Sequence, residues 1–276
     1  MFKGIYTAAS GMLAQQRKTE ILTNNMANAN TPGFKAEQST IRSFPEMLMS
    51  SVSSTNVPTK KGLHYSQIQR VGSLSTGIYV QETMPSFVQG NIYETSFNTD
   101  LALINGYMPT NGDVEGTVFF RLQHPDGGEA YTRNGSFTLD GQGYLVSSEG
   151  YYVLSESGER IQLQNEEFQV AEDGTITASG ATIATLGVAF SENPNALTKQ
   201  NNGIFRTEDG AALPSAFTQG NVTFALKQRF LEGSNVDPSQ AMTDLLTAYR
   251  AFEANQKVIQ AYDRSMEKAV NEIGKV

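Results

Sequence analysis

The 276-residue sequence contains no cysteine, so neither a disulfide nor a thiolate site is available to it. It also lacks any run of 18 apolar residues, which argues against a membrane-spanning helix. Between Met1 and Asn30 the chain carries Lys3 but has Gln15-Gln16-Arg17-Lys18 where a secretory signal peptide needs an apolar centre. Export, if it occurs, is therefore expected by a route that cleaves no such signal. Charge is scarce, at 17% of residues, and the net charge of −8 is unevenly spread. Residues 1–45 hold five basic and two acidic groups, residues 237–276 five and six, so the acidic excess sits in the middle. An acidic middle with no basic cluster argues against nucleic-acid binding.

Histidine is nearly absent too: only His64 and His124 occur. The sequence has no His-Glu-x-x-His, no glycine-rich phosphate loop and no Gly-x-Ser-x-Gly elbow. His124, Asp126 and Glu129 lie close enough in sequence to suggest an acid/base group or metal site. Three polar residues around a Pro-Asp-Gly turn read more simply as solvated turn residues. The expectation is no catalytic residue, no metal, no cofactor and no enzyme activity.

What the sequence does have is a pair of helical ends. Asp237-Pro238-Ser239-Gln240 reads as a helix start, with Asp237 as cap, Pro238 at the first helical position and Gln240 as capping-box partner. Beyond it Met242, Leu245, Tyr249, Phe252, Gln256, Ile259, Asp263, Met266, Val270 and Ile273 recur at alternating spacings of three and four. A helix of that span is about 50 Å long at a rise of about 1.5 Å per residue. At the other terminus Phe2, Ile5, Ala9, Met12, Gln16, Thr19, Thr23 and Met26 repeat the pattern, with Tyr6 and Leu13 widening the stripe. This seam is poorer in apolar area, and Gly11 costs about 1 kcal/mol relative to Ala. Neither helix is expected to be stable alone. Two arrangements remain open: a helical hairpin closing one globular domain, or a coiled-coil segment whose packing neighbouring subunits complete. The N-terminal helix is expected to end by about Asn30, because Pro32 disfavours helical geometry at Thr31 and Gly33 supports a turn.

The middle is turn-rich and strand-like. Asn134-Gly135, Asp140-Gly141 and His124-Pro125-Asp126-Gly127-Gly128 punctuate alternating stretches and predict tight hairpins. Further strands are expected near 151–155, 159–163, 168–170, 174–178, 183–190, 203–206 and 222–228. Residues 36–85 read as an extended or partly ordered connector docked through Met47-Leu48-Met49, and residues 105–117 as a longer surface loop. The fold class is thus α+β: a mainly-β central domain of hairpins flanked by long N- and C-terminal helices that form a coiled-coil-like pair. The boundaries are 1–35 for the N-terminal helix, 36–85 for the connector, 86–235 for the β-rich domain and 236–276 for the C-terminal helix.

Four stretches carry a resemblance. They are Asn24-Asn25-Met26-Ala27-Asn28-Ala29-Asn30-Thr31-Pro32-Gly33-Phe34-Lys35, preceded by Ala9-Ser10-Gly11-Met12; residues 86–104; Tyr131-Thr132-Arg133-Asn134-Gly135-Ser136-Phe137; and Leu231-Glu232-Gly233-Ser234-Asn235-Val236-Asp237 with Tyr249 to Ile259. In that order they resemble the landmarks of the bacterial flagellar axial proteins, the rod and hook subunits. The insertion of residues 105–117 departs from the family's short turn. The resemblance implies a structural subunit of the basal-body rod, of proximal or distal type, outside the cytoplasmic membrane. Its terminal helices would line an inner torque-transmitting tube, and its partners would be copies of itself, other rod and hook proteins and the type III export apparatus. The residues expected to carry subunit assembly are Phe2, Ile5, Ala9, Met12, Met26, Met242, Leu245, Tyr249, Phe252, Ile259, Met266, Val270 and Ile273. The alternative is a secreted module whose β-domain grips the cell wall while the helices only close the fold.

Overall fold

A computed structural model describes residues 2–57, 63–112, 114–200 and 203–273. The chain is mixed and mostly β-strand, with one helix at each end: α1, Phe2–Ala27, and α2, Pro238–Lys268, which runs on into a π-helical turn at Ala269–Ile273. Pro238 stands first in α2, where its missing N–H costs nothing. Two compact units divide the residues: 1–24, 38–83 and 239–276 in the first, 25–37 and 84–238 in the second.

In the first unit α1 and α2 run antiparallel and touch where α1 has no side chain. Gly4 faces the Tyr262 ring, and one heptad later Gly11 faces the Asn255 amide; a Cβ on Gly11 would stand 3.1 Å from Asn255 Nδ2. Gly11, a cost in helix propensity, is thus a point of close approach. Four strands lie within residues 37–85, the stretch expected as an extended or partly ordered connector. Strand Glu37–Ser43 pairs with Ile78–Pro85, and Met47–Val57 pairs antiparallel with Leu63–Leu74, with a register shift between Met49 and Ser50. These strands are rich in Ser, Thr and Gln and show no clean alternation, which is why their sequence looked like a connector. Residues 58–62 between them lie outside the described residues.

The second unit is built on an eight-stranded sheet whose central strand, Thr117–Gln123, pairs with Glu129–Thr132, Tyr152–Val153 and Val188–Ser191. Alternation along that strand splits its side chains between two faces. Val118, Phe120 and Leu122 enter the main core with Leu101, Leu103, Leu145, Val188 and Ile204. Phe119 points the other way, into a smaller cluster with Tyr131, Ala189, Leu197 and Phe205, where Phe87 meets Phe119 edge-on at 5.6 Å. A three-stranded sheet follows, Phe168–Val170, Thr175–Ala178 and Ala181–Thr185. The turn between its last two strands, Ser179-Gly180, has φ of 52° and 79°, the pair of positive values that a tight twisted hairpin needs. Strand Leu101–Asn105 pairs with Phe224–Gln228, and Ile92–Glu94 with Phe230–Glu232.

Residues 105–117 are not simply a surface loop. Met108 is buried in the main core, Thr110–Asn111 pairs with Val114–Glu115, and Gly116 lies against the Phe190 ring. The helical seams also differ from the expected ones. In α2 the less exposed positions are Ala241, Asp244, Leu245, Ala248, Ala251, Phe252, Asn255, Ile259, Tyr262 and Met266, with Ala269 in the turn beyond. Leu245, Phe252, Ile259 and Met266 of the expected seam are there; in place of Met242, Tyr249, Gln256, Asp263 and Val270 the less exposed residue is the one before, Ala241, Ala248, Asn255, Tyr262 or Ala269.

Candidate assembly site

The helices leave large apolar side chains in water. On α2, Met242 and Tyr249 are each 57% exposed, Leu246 between them is 48% exposed and Val270 71% exposed. Met242, Leu246 and Tyr249 stand at spacings of four and three, so they form one stripe beside the inward seam. On α1, Tyr6 and Leu13 are 70% and 62% exposed and lie one heptad apart. Single exposed apolar residues are unremarkable, but aligned ones on a helix make a candidate contact surface.

Of the residues expected to carry assembly, Met242, Tyr249 and Val270 are thus on the open face. Leu245, Phe252, Ile259 and Met266 are half-buried along the inward seam of α2, and Ile5, Ala9, Met12 and Met26 are half-buried on α1, whose buried positions are Ala8, Gly11, Ala14, Ile21 and Asn25. The side chains of Phe2 and Ile273 lie outside the described ones. Sequence spacing therefore joined residues from two adjacent stripes. Leu246, which was not among the expected residues, lies one position past the seam and is exposed between Met242 and Tyr249.

The Ala9-Ser10-Gly11-Met12 landmark has a local task in the first unit. Ser10 Oγ accepts the Ile78 N–H at 3.3 Å and donates to the Thr7 carbonyl at 2.9 Å, while Thr7 Oγ1 lies 3.2 Å from the Thr76 carbonyl. Gly77, at φ 143°, packs on the Ser10 side chain. The α1 surface thereby holds the turn at 76–78 by one small hydroxyl and one missing Cβ.

The other landmarks meet in the second unit as a buried ionic knot. Lys35, Arg133 and Glu232 are exposed by 2%, 1% and 2%. Glu232 Oε1 receives Lys35 Nζ at 2.6 Å and the Gly90 N–H at 3.0 Å; Oε2 receives Arg133 Nε at 2.8 Å and NH2 at 2.7 Å. Arg133 spends its other donors on Asn105 Oδ1, the Val118 carbonyl and the Leu103 carbonyl, and Lys35 also donates to the Val88 carbonyl. Every charged atom is thereby hydrogen-bonded, which is the condition for burying an ion pair at tolerable cost. Backbone and amide bonds surround it: Gly33 N–H to the Glu232 carbonyl, Ala36 N–H to Asn235 Oδ1, and Asn235 Nδ2 to the Ser86 and Val88 carbonyls. Gly33 has φ 69° and lies on the Arg133–Asn134 backbone, where no Cβ fits.

Two cations share one carboxylate, and the electrostatics follow. Burial lowers the Lys35 ammonium to about 8, and the Arg133 charge adds to this against the pull of Glu232. Burial alone would raise the Glu232 carboxyl, but Arg133 and Lys35 outweigh it and hold the group below the usual carboxylate range. None of the three residues was picked out by sequence reasoning as a site. Their pairing spans 99 and 197 positions, and lone charged residues normally read as surface.

His124, Asp126 and Glu129 are bonded within and beside the hairpin. His124 Nδ1 accepts the Asp126 N–H at 3.1 Å, while Glu129 is bonded to Arg121 and to the Tyr131 hydroxyl. Among the described residues no cluster of His, Cys, Asp and Glu is arranged to hold a metal ion, and no helix is long and apolar enough to cross a membrane.

Comparison with known proteins points one way. Three family models match: Flagella basal body rod protein over residues 5–35, Flagellar hook protein FlgE/F/G D1 domain over 113–178, and Flagellar basal body rod FlgEFG protein C-terminal over 227–272. The flagellar hook-basal body complex protein FlhO of Bacillus subtilis (strain 168) is 44% identical across 100% of both chains. The flagellar basal-body rod protein FlgG of the same organism is 30% identical over 98% of this chain and 99% of its own. That of Borreliella burgdorferi is 29% identical over 98% of each. The cell-wall-binding alternative finds no support among these relatives.

Proposed function

The chain belongs to the flagellar basal-body rod family, of FlgG type, and from that premise we propose that its two terminal helices are the assembly elements of a rod subunit. It is a structural subunit of the bacterial flagellar basal body. Assembly joins it to copies of itself and to other rod and hook proteins, after passage through the flagellar export apparatus. In the rod, α1 and α2 form a coiled-coil-like pair lining the inner tube, and residues 86–235 form the β-domain. No catalysis is assigned to any part.

The observation that carries this reading is the stripe Met242, Leu246, Tyr249 on α2 with Tyr6 and Leu13 on α1, large apolar side chains that the isolated chain leaves in water. A filament of identical subunits needs heterologous contacts, in which one patch meets a different patch on the next copy. Exposed stripes on both helices supply two such patches. The test is Leu246→Asp with Tyr249→Asp in the full chain. Because both residues are exposed, monomer stability should move by less than about 1 kcal/mol. Polymer formation, followed by light scattering and electron microscopy, should fall by at least tenfold. Tubes formed at the wild-type rate by this variant would refute the assignment.

A further inference from the structure

The knot makes closure of the second unit depend on a residue near the far end of the chain. Its two cations arrive early in the sequence, at positions 35 and 133, and the central hairpins around Arg133 are local: Thr117–Gln123 with Glu129–Thr132, and Phe137–Leu139 with Leu145–Ser147. Nothing in strand pairing alone would stop that part from closing first. Yet closing it places the Arg133 guanidinium at 1% exposure among the Leu103 and Val118 carbonyls. Among the described residues Glu232 is the one carboxylate bonded to Arg133 or Lys35. Arginine cannot shed its proton to escape the cost of burial. Strands Ile92–Glu94 and Leu101–Asn105 likewise wait for partners at 230–232 and 224–228.

We propose that Glu232 is a folding latch: the β-unit stays open until the segment preceding α2 arrives and delivers the carboxylate that lets Arg133 and Lys35 be buried. In a chain delivered N-terminus first, the latch keeps residues 84–229 unfolded until nearly the whole chain has passed, which suits transit through a narrow export channel. That use rests on the export reading above; the latch itself is a property of folding and is tested in solution.

The experiment uses full-length protein. Glu232→Gln keeps the shape and removes the charge, so the folded-to-unfolded ratio should fall by about a hundredfold or more, read from urea unfolding. Replacing all three charges, Lys35→Met, Arg133→Met and Glu232→Met, should recover most of that loss. Pulse-labelling hydrogen exchange during refolding then reads the order of events. In the wild type, amides of 117–123 and 129–132 should gain protection at the same rate as those of 230–232. In the triple variant they should gain it first. Wild-type protection of 117–132 ahead of 230–232 would overturn the latch, whether or not the triple variant folds. So would a Glu232→Gln protein with wild-type stability. Neither result would bear on export or assembly.

Discussion

Gly135 tests whether the close contacts around the knot are as tight as the geometry says. Its Leu101 neighbour runs directly beneath: a Cβ at position 135 would collide with the Leu101 carbonyl oxygen, stand 2.8 Å from the Leu101 carbonyl carbon and 3.2 Å from the Phe120 ring. The obstacle is backbone and cannot rotate aside. It is also held in place, since the Leu101 N–H donates to the Gly135 carbonyl at 3.0 Å and Asp100 bridges to Ser136. Gly135→Ala must therefore push strand Leu101–Asn105 away. Overpacking of this kind costs about 1–3 kcal/mol, and weakening a buried backbone hydrogen bond adds about 1. The sum is about 3 kcal/mol, which at a urea m-value of about 2 kcal/mol/M lowers the unfolding midpoint by about 1.5 M. Gly141→Ala is the control. It is the same substitution in the same unit, at a turn glycine with nothing within 4 Å of the new Cβ. There the change should be neutral or stabilising by up to about 1 kcal/mol, because it narrows the unfolded ensemble. Tyrosine fluorescence or far-ultraviolet circular dichroism in urea reads both. Midpoints for the two variants within 0.2 M of one another, on the order of 0.4 kcal/mol by the same m-value, would refute the reasoning.

Other outcomes follow from the same structure. Ser10→Ala removes the acceptor for the Ile78 N–H and should cost about 1 kcal/mol locally, seen as roughly fivefold faster exchange of that amide; unchanged exchange would mean that the hydroxyl holds nothing. Lys35 gives a pH signature whose sign is fixed by linkage. Its folded value, about 8, lies below its ordinary 10.5, so between those pH values the unfolded chain binds more protons and stability rises with pH. Lys35 should therefore give the wild type a gain on the order of 1–3 kcal/mol between pH 8 and 10.5, and Lys35→Met should lack it. Parallel stability profiles for the two proteins across that range would show that the ammonium is not titrating as described.

How much of this was legible in the sequence differs from element to element. Helix α2 announced itself through Leu245, Phe252, Ile259 and Met266, which keep one face through three heptads. The companion positions did not: Ala248 carries less apolar signal than Tyr249, and at Asn255 and Tyr262 the three-four spacing ran on through Gln256 and Asp263 instead. Size and hydrophobicity identify what wants burial; they do not say whether the isolated chain provides it. Hairpins were legible at His124–Gly128 and Asp140–Gly143, where Gly127, Gly128 and Gly143 take positive φ; Asn134-Gly135 was misleading, since Glu129–Thr132 and Phe137–Leu139 do not pair with each other and Gly135 is not at positive φ. The 37–85 strands were not legible, since their pairing is fixed by partners as far apart as Met47 and Leu74 and their side chains lack alternation. The knot was wholly hidden. Gly33, Arg133 and Glu232 were visible as parts of separate landmarks, but nothing local to any one of them reports the other two.

The bonds around Glu232 also say where mechanical force travels. Tension applied to residues 28–37 reaches 230–236 through the Gly33 amide, the Lys35 ammonium and the Ala36 amide, each attached directly to Glu232 or Asn235. The hairpins between Phe137 and Ser191 lie off that route. A tug along one terminal segment is handed to the other over a few ångströms, and through Arg133 to the central strand at Val118.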